Sequence, residues 1–304
     1  MKILVTGASG FIGSHLAEEL TGRDHEVHAL VRHSPRVSLL PEEVEAITGD
    51  LMDIFSLKKA MRMAQPEMVC HIAALTPVRY SFDNPFIYAQ TNYVGTMNMV
   101  HAALEQPTVE GFVHASTAEV YKPKHRPLVE DDKLFGSTPY GVSKVAADYY
   151  VQVAGECYGL PYTILRPSNS YGRRRERGYI VEKIITTMLT SSNELVLDGS
   201  PHIVRDYMHI SDHVNGYLRA IESKKRGVFN ISTGKETSVR DLVATAKSIT
   251  GFHGHVKYLG KPRPHDPEYL VLDNAKAIAE LGWEPKVGLK EGLKRVASFW
   301  RDKL

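Results

Sequence analysis

The chain opens MKILVTGASGFIGSHLAEEL, and no other stretch limits its fold so narrowly. Lys2–Thr6 is an apolar run long enough for a buried strand and too short for a helix. Gly7, Gly10 and Gly13 follow at three-residue spacing, overlapping a helical pattern in which Ile12, Leu16 and Leu20 repeat at i, i+4. Strand, glycine turn and helix in that order form the first half of a βαβ unit. The glycines have a physical reason. A pyrophosphate rests on the amides at a helix N-terminus only if no side chain intervenes. A glycine motif alone also serves as a plain strand-to-helix turn, but directly after a bare strand the phosphate reading is favoured.

Further apolar runs alternate with helical patterns. Glu26–Val31, Val44–Gly49, Met68–Ile72 and Gly111–Ala115 read as strands, with helices over Leu57–Ala64 and Tyr88–Leu104. This alternation predicts an α/β fold with a mostly parallel, doubly wound sheet. Its ligands gather at the C-terminal ends of the strands. Thr163–Arg166 is a further strand, and Val228–Ser232 is a late strand returning to the same sheet. Ser238–Thr250, Asn274–Leu281 and Leu289–Lys303 read as closing helices.

Two stretches carry chemistry. Ser116-Thr117-Ala118-Glu119-Val120-Tyr121 comes directly after the fifth strand, and Pro139-Tyr140-Gly141-Val142-Ser143-Lys144 opens a helix. Tyr140 and Lys144 are four apart and share a helical face. An ammonium beside a phenol stabilises the phenolate, whose reference pKa is near ~10. Such a phenol takes a proton from an alcohol while the alcohol's carbon gives up hydride. Thr117 is placed to hydrogen-bond the same oxygen. Tyr-x-x-x-Lys is common by chance, and it gains weight from the glycine turn and the STAEVY string that precede it.

Bulk properties narrow the class. The 304 residues suit one large domain or two intimate ones. A net charge of +2 calls for neither nucleic acid nor an anionic membrane. The run Arg173-Arg174-Arg175 with Arg177 lacks interleaved aromatics and reads as a loop near a diphosphate or as solvated surface. Only Cys70 and Cys157 are present, without C-x-x-C, which favours a reducing compartment. With a strand from residue 2 and no apolar run near 18 residues, a cytoplasmic protein is expected. His71 has no partner ligands at usable spacing, so no metal site is expected.

The strings TGASGFIG, HIAA, STAEVY, PYGVSK, RPSNSYG and RDYMHISD occur in one order over nearly the whole chain. Together they resemble the extended short-chain dehydrogenase/reductase family, to which many nucleotide-sugar epimerases and dehydratases belong. The resemblance implies a Rossmann-type dinucleotide-binding domain over 1–170, with the returning strand near 228–233. Residues 171–304 then form mainly a smaller C-terminal substrate-binding lobe. It further implies that Gly7, Gly10, Phe11, Ile12, Gly13, Asp50, Leu51, Ala73, Ala74, Asn92, Tyr140, Lys144 and Pro167 hold NAD or NADP. Asp50 would meet the adenine amino group. At the end of the second strand Arg32, with His33 and Arg36 close by, suits a 2′-phosphate through its forked guanidinium and favours NADP.

On the substrate side the resemblance assigns Ser116, Thr117, Asn169, Arg205, Arg263 and Asp266 to a nucleotide-diphosphate sugar. Arg205 and Arg263 would take the diphosphate, and Asp266 would lie near the nucleoside. Tyr140, Lys144 and Thr117 are catalytic in the implied reaction, which begins with oxidation at C4 of the sugar. Epimerisation at C4 asks least of the residues present. A related 4,6-dehydratase also uses the two residues after the threonine, an Asp or Ser and then a Glu, and this chain has Ala118 and Glu119 there. Glu119 keeps dehydration, or decarboxylation of a uronic acid, as the alternative. An NADPH-dependent 4-keto-sugar reductase and a cofactor-sensing binding protein complete the alternatives. Lys122, where relatives place glycine, departs from the pattern. A homodimer is expected by resemblance, through the helices over 88–104 and 140–158.

Overall fold

In the computed structural model residues 1–32, 40–173, 178–191 and 193–304 are described. The strands of the main sheet are β1 (Lys2–Thr6), β2 (Glu26–Val31), β3 (Glu45–Thr48), β4 (Met68–His71), β5 (Gly111–Ala115), β6 (Tyr162–Pro167) and β7 (Gly227–Ile231). Every neighbouring pair is parallel, and the order is β7-β6-β5-β4-β1-β2-β3. The order reverses between β1 and β4. That crevice is where a doubly wound sheet places its ligand.

Alternation along β1 sorts its side chains between two cores. Ile3 and Val5 face a cluster with Leu16 and Leu20 of α1 (Phe11–Thr21) and Leu218 and Ile221 of a later helix. Leu4 faces the opposite cluster, built from α2 (Ile54–Ala64), α3 (Gly95–Leu104) and α4 (Pro139–Tyr158). Burial on both faces explains why these strands read as nearly continuous apolar runs.

The chain beyond 170 divides its work. Helix α5 (Ile180–Thr190), α7 (Val239–Thr250) and α8 (Leu289–Arg301) pack a core of their own, containing Ile184, Leu242, Leu293 and Val296. By contrast α6 (Ile210–Ser223) covers the Rossmann sheet beside α1, and β7 completes that sheet.

Two expected helices differ in detail. Tyr88–Leu104 is interrupted by a π-helical segment, Ala89–Val94, before α3. The expected helix over Asn274–Leu281 narrows to a π-helical turn at Ala277–Leu281, closed by Gly282 at φ +61°. There Trp283 buries completely and donates its indole N–H to the Asp212 carbonyl at 3.0 Å. The extra residue per turn serves tertiary anchors that the helical period does not encode.

Candidate active site

The glycine turn closes on itself and on β4. Gly7 has φ +70°, and a Cβ there would stand 2.8 Å from the Ala73 backbone. A Cβ on Gly13 would stand 2.2 Å from the Gly7 carbonyl oxygen. Gly10 differs, because a Cβ on it would meet only the Gly7 carbonyl, at 3.1 Å. Its outward side is open, at the N-cap of an 11-residue helix with no side-chain cap and no acid in its first turn. An amide-lined concavity that glycine leaves empty fits a pyrophosphate.

The floor of this crevice is held by one hydroxyl. Thr6 Oγ1 accepts the Ile72 and Ala73 amides, both at 3.1 Å, and lies 2.9 Å from His71 Nδ1. His71 Nε2 lies 3.0 Å from Thr96 Oγ1, and Thr96 donates to the Asn92 carbonyl at 2.6 Å. Having accepted twice, Thr6 donates to Nδ1, so His71 is neutral with its proton on Nε2. Burial and then the Lys144 charge push the His71 pKa down to about 3, in agreement. Its role is structural.

Around the crevice, Asp50 at the exit of β3 accepts the Met52 amide at 2.9 Å, and buried Leu51 packs against Gly95. Phe11 and Ile12 open α1, and half-buried Ala73, Ala74 and Pro167 line the exits of β4 and β6. Arg32 is exposed just after β2. His33, Arg36, Arg174, Arg175 and Arg177 lie outside the described residues. Arg173 pairs with Glu18 of α1 at 2.8 Å. Asn92 stands apart from the other expected cofactor contacts, because its amide is spent within the protein. It accepts the Leu75 amide at 2.8 Å and donates to the Leu75 carbonyl and to Ser143 Oγ, both at 3.0 Å. It ties the β4 exit loop to α4.

Helix α4 starts cleanly, with Thr138 accepting the Gly141 amide at 3.0 Å and Pro139 in the first turn. Gly141 lets it press on the loop after β5, since a Cβ there would stand 2.8 Å from the Glu119 carbonyl oxygen. Tyr140 is buried, its ring edge-on to Tyr88 at 6.2 Å. Tyr88 is itself fixed by donating its hydroxyl to the Pro77 carbonyl at 2.6 Å. Lys144 is buried and donates to the Ala115 carbonyl at the end of β5. Burial lowers its pKa to about 8, against the field of Asp148. Thr117 caps the short turn that follows, accepting the Glu119 amide at 3.3 Å. Beside it the Ser116 hydroxyl is buried, and among the described residues it has no hydrogen-bond partner. The site thus offers a phenol, an ammonium and two hydroxyls where β5 ends.

Three of the expected substrate residues, Arg205, Arg263 and Asp266, meet in one ionic chain with Glu119. Arg205 donates to Asp266 Oδ1 at 2.7 Å, Arg263 Nε donates to the same oxygen at 3.0 Å, and Arg263 also pairs with Glu119. Asp266 therefore bridges the two arginines, and Glu119 is engaged by the second of them. Asn169 is exposed at the start of a short strand, Asn169–Tyr171, that pairs with Tyr207–His209 apart from the main sheet. Sequence reasoning passes over Tyr88, Thr6 and Ser143, whose roles are to hold the groups above. Ser143 at least lies inside the quoted PYGVSK string.

Fold and site define a Rossmann enzyme of the extended short-chain dehydrogenase type. A family model described as GDP-mannose 4,6 dehydratase matches residues 4–296, and the chain belongs to that family. It is 33% identical to a putative UDP-glucose 4-epimerase of Methanocaldococcus jannaschii, over 99% of this chain and 98% of that one. A UDP-glucose 4-epimerase from Thermotoga maritima, solved with UDP-glucose, superposes with TM-score 0.93 at 33% identity, covering 100% and 99% of the two chains. A Thermus thermophilus UDP-glucose 4-epimerase solved with NAD gives TM-score 0.90 at 31% identity, with both chains fully covered. Among the described residues no helix is long and apolar enough to cross a membrane.

The Asn92 bonds generate a prediction. Asn92→Ala leaves the amide and carbonyl of half-buried Leu75 without their partner, at a cost of about 1 kcal/mol for each group, at the low end for an orphaned polar group. Urea unfolding should show lower stability, and turnover should fall because α4 loses its tie to the β4 exit. Wild-type stability and turnover would refute the positioning role.

Proposed function

We propose that the protein is a nucleotide-diphosphate-sugar 4-epimerase acting on a UDP-hexose, with a nicotinamide dinucleotide as its resident cofactor. One observation carries the reading. Lys144 of α4, one helical turn after Tyr140, reaches the Ala115 carbonyl at the end of β5, directly before Ser116 and Thr117, while the two positions a dehydratase uses for its second acid–base step are unfit for it. Ala118 is buried and carries no exchangeable proton, and Glu119 is engaged by Arg263. The parts for removing and returning hydrogen at one carbon are present. Those for extracting water are incomplete.

Bound in the crevice, the nicotinamide supplies reversible acceptance of hydride from C4 of the sugar. Gly7, Gly10 and Gly13 would admit its pyrophosphate to the amides of α1. Tyr140 takes the C4 hydroxyl proton on its phenolate oxygen, and Lys144 stabilises that phenolate electrostatically. Thr117 and Ser116 orient the sugar oxygen during the transfer. After the sugar ring has turned, Tyr140 would return the proton to the C4 oxygen as hydride is given back to the opposite face of C4, which yields the epimer with no further acid or base from the chain. Arg205 and Arg263 hold the diphosphate through charge-assisted bonds.

A second reading rests on Glu119 beside Thr117 and on the description of the matching family model. If arriving diphosphate takes Arg263, the released carboxylate can act as a base for dehydration or decarboxylation. Product mass separates the two. Incubating purified protein with UDP-glucose and UDP-glucuronic acid should give products of unchanged mass and inverted C4 configuration. Loss of 18 mass units (~18, one water) or of carbon dioxide (~44) supports the second reading. Tyr140→Phe should lower turnover by at least ~10²-fold, as expected for loss of a general base, with cofactor retained. Retained turnover would remove Tyr140 from the mechanism.

Cofactor choice turns on Arg32. An exposed guanidinium after β2 suits a 2′-phosphate, so the proposal allows NADP although the Thermus relative was solved with NAD. Arg32→Asp should shift the ratio of NADP to NAD affinity at least several-fold toward NAD, read by calorimetry. An unchanged ratio refutes the phosphate role. We also propose a homodimer through α4. Val142, Tyr149, Val153 and Tyr158 are 48–58% exposed on that helix, and Phe86 nearby is 83% exposed. Joint Tyr149→Glu and Val153→Glu substitution should halve the mass seen by light scattering, and an unchanged mass counts against this face.

A further inference from the structure

The mechanism above uses one face of α4 down to Lys144. One turn further on, the same face carries Asp148, whose side chain is completely buried. Its Oδ2 accepts Arg166 Nε of β6 at 3.0 Å. Its Oδ1 has no hydrogen-bond partner among the described residues and lies 3.6 Å from His114 Nε2 of β5. A carboxylate oxygen left unpartnered at zero exposure is costly unless its charge is needed.

We infer that Asp148 is a positioning residue for the reaction: its buried charge holds Lys144 as an ammonium while Tyr140 exchanges a proton with the sugar. This rests on the reading of Tyr140 and Lys144 as the working pair. Every titratable neighbour points the same way. Facing Lys144 are Tyr140 and Asp148 from α4, His71 from β4 and His114 from β5; Arg166 of β6 reaches it through Asp148. The two imidazoles are stacked at 5.6 Å, and burial holds both of them neutral. The hydrogen bond from Thr6 reserves Nδ1 of His71 as an acceptor, so that ring does not take up a proton there. Neither histidine therefore neutralises Asp148. Arg166 spreads its other contacts over the Tyr121 hydroxyl at 2.9 Å, the Glu130 carbonyl at 3.0 Å and the face of the Tyr121 ring.

Among the described residues Lys144 makes one hydrogen bond, to the Ala115 carbonyl, which a neutral amine could also make. The feature that selects the ammonium over the amine is the anion one turn away. An opposite charge at this range moves a pKa by about 1–3 units. Without it, burial would strip the lysine of its proton at lower pH, and the phenolate would lose its stabilising charge.

The test compares the wild type with Asp148→Asn/Arg166→Met, which removes opposite charges together and leaves neither buried alone, and with Asp148→Glu. Holoenzyme turnover of UDP-glucose is followed from pH 5.5 to 10, with KM recorded throughout. In the double variant the alkaline limb of the kcat profile should move down by about one unit or more, with KM changed less than threefold. Asp148→Glu should restore the limb. A folded double variant with the wild-type limb overturns the inference and leaves Asp148 a plain partner for Arg166. A second measurement needs no variant: ¹⁵N NMR of lysine side chains in the wild-type holoenzyme should show Lys144 as an ammonium at pH 7. A neutral amine there overturns the inference by itself. Tyr140→Phe is assayed alongside, and if it keeps full turnover the working-pair reading has failed instead.

Discussion

The hydroxyl of Thr6 is the interaction on which this site depends. Strands β1 and β4 end side by side at the switch point, and a dinucleotide can lie across them only if their exits touch. Closing that gap takes the Ile72 and Ala73 amides out of the ladder, and Thr6 Oγ1 receives both. The same oxygen then has one proton left to give, and giving it to Nδ1 fixes the tautomer of His71. From His71 the order passes through Thr96 to the Asn92 carbonyl, inside the π-helical segment, and from the Asn92 amide to Ser143 on α4. A valine of the same shape would leave two half-buried amides without their acceptor and the imidazole without its donor. One small polar side chain thus joins the cofactor floor to the catalytic helix.

Much of this architecture is legible in the sequence, for physical reasons that differ by element. Strands β1, β2 and β5 are read to the residue because burial on both faces makes them nearly continuous apolar runs, broken inside only by His28 and His114. Tyr140 and Lys144 are legible because their pairing is local to one helical face. The π-helical segment is not, since its residues fit an ordinary helical period and only the reach of Asn92 to Leu75 and Ser143 requires the extra residue. Helix α6 escapes notice for another reason. Its buried face includes Asp212 and His213, which a hydropathy pattern scores as surface, and Asp212 is satisfied from Val287, 75 residues away, at 2.9 Å. Long-range ionic partners are the least legible of all. Nothing local announces that Glu119 meets Arg263, 144 residues on, or that Asp266 takes both arginines.

That ionic chain bears directly on how one fold divides between epimerases and dehydratases. Glu119, Arg263, Asp266 and Arg205 alternate in sign and are mostly buried, so these four charges cancel one another within the chain. On the proposed function, an entering diphosphate brings two negative charges and must share or displace the carboxylates to reach the guanidiniums. Asp266 holds both arginines and is the costlier to dislodge. Among the described residues Glu119 has one cationic partner, Arg263, and it sits two residues from Thr117, so its freedom is set by whatever occupies Arg263. A carboxylate bound to guanidinium is a poor base, because protonating it forfeits the ion pair. Glu119 therefore acts as a base only if the substrate's phosphates take Arg263 away from it and the sugar's C5 hydrogen stands within its reach. The trio proposed at β5 is indifferent to that exchange. In the proposed reaction oxidation at C4 needs only Tyr140, Lys144 and Thr117, whereas elimination also needs a proton-carrying side chain at position 118, where the chain has a buried alanine. The chemistry of the fold is set at the strand end, and its outcome is set by which carboxylate the arginines release.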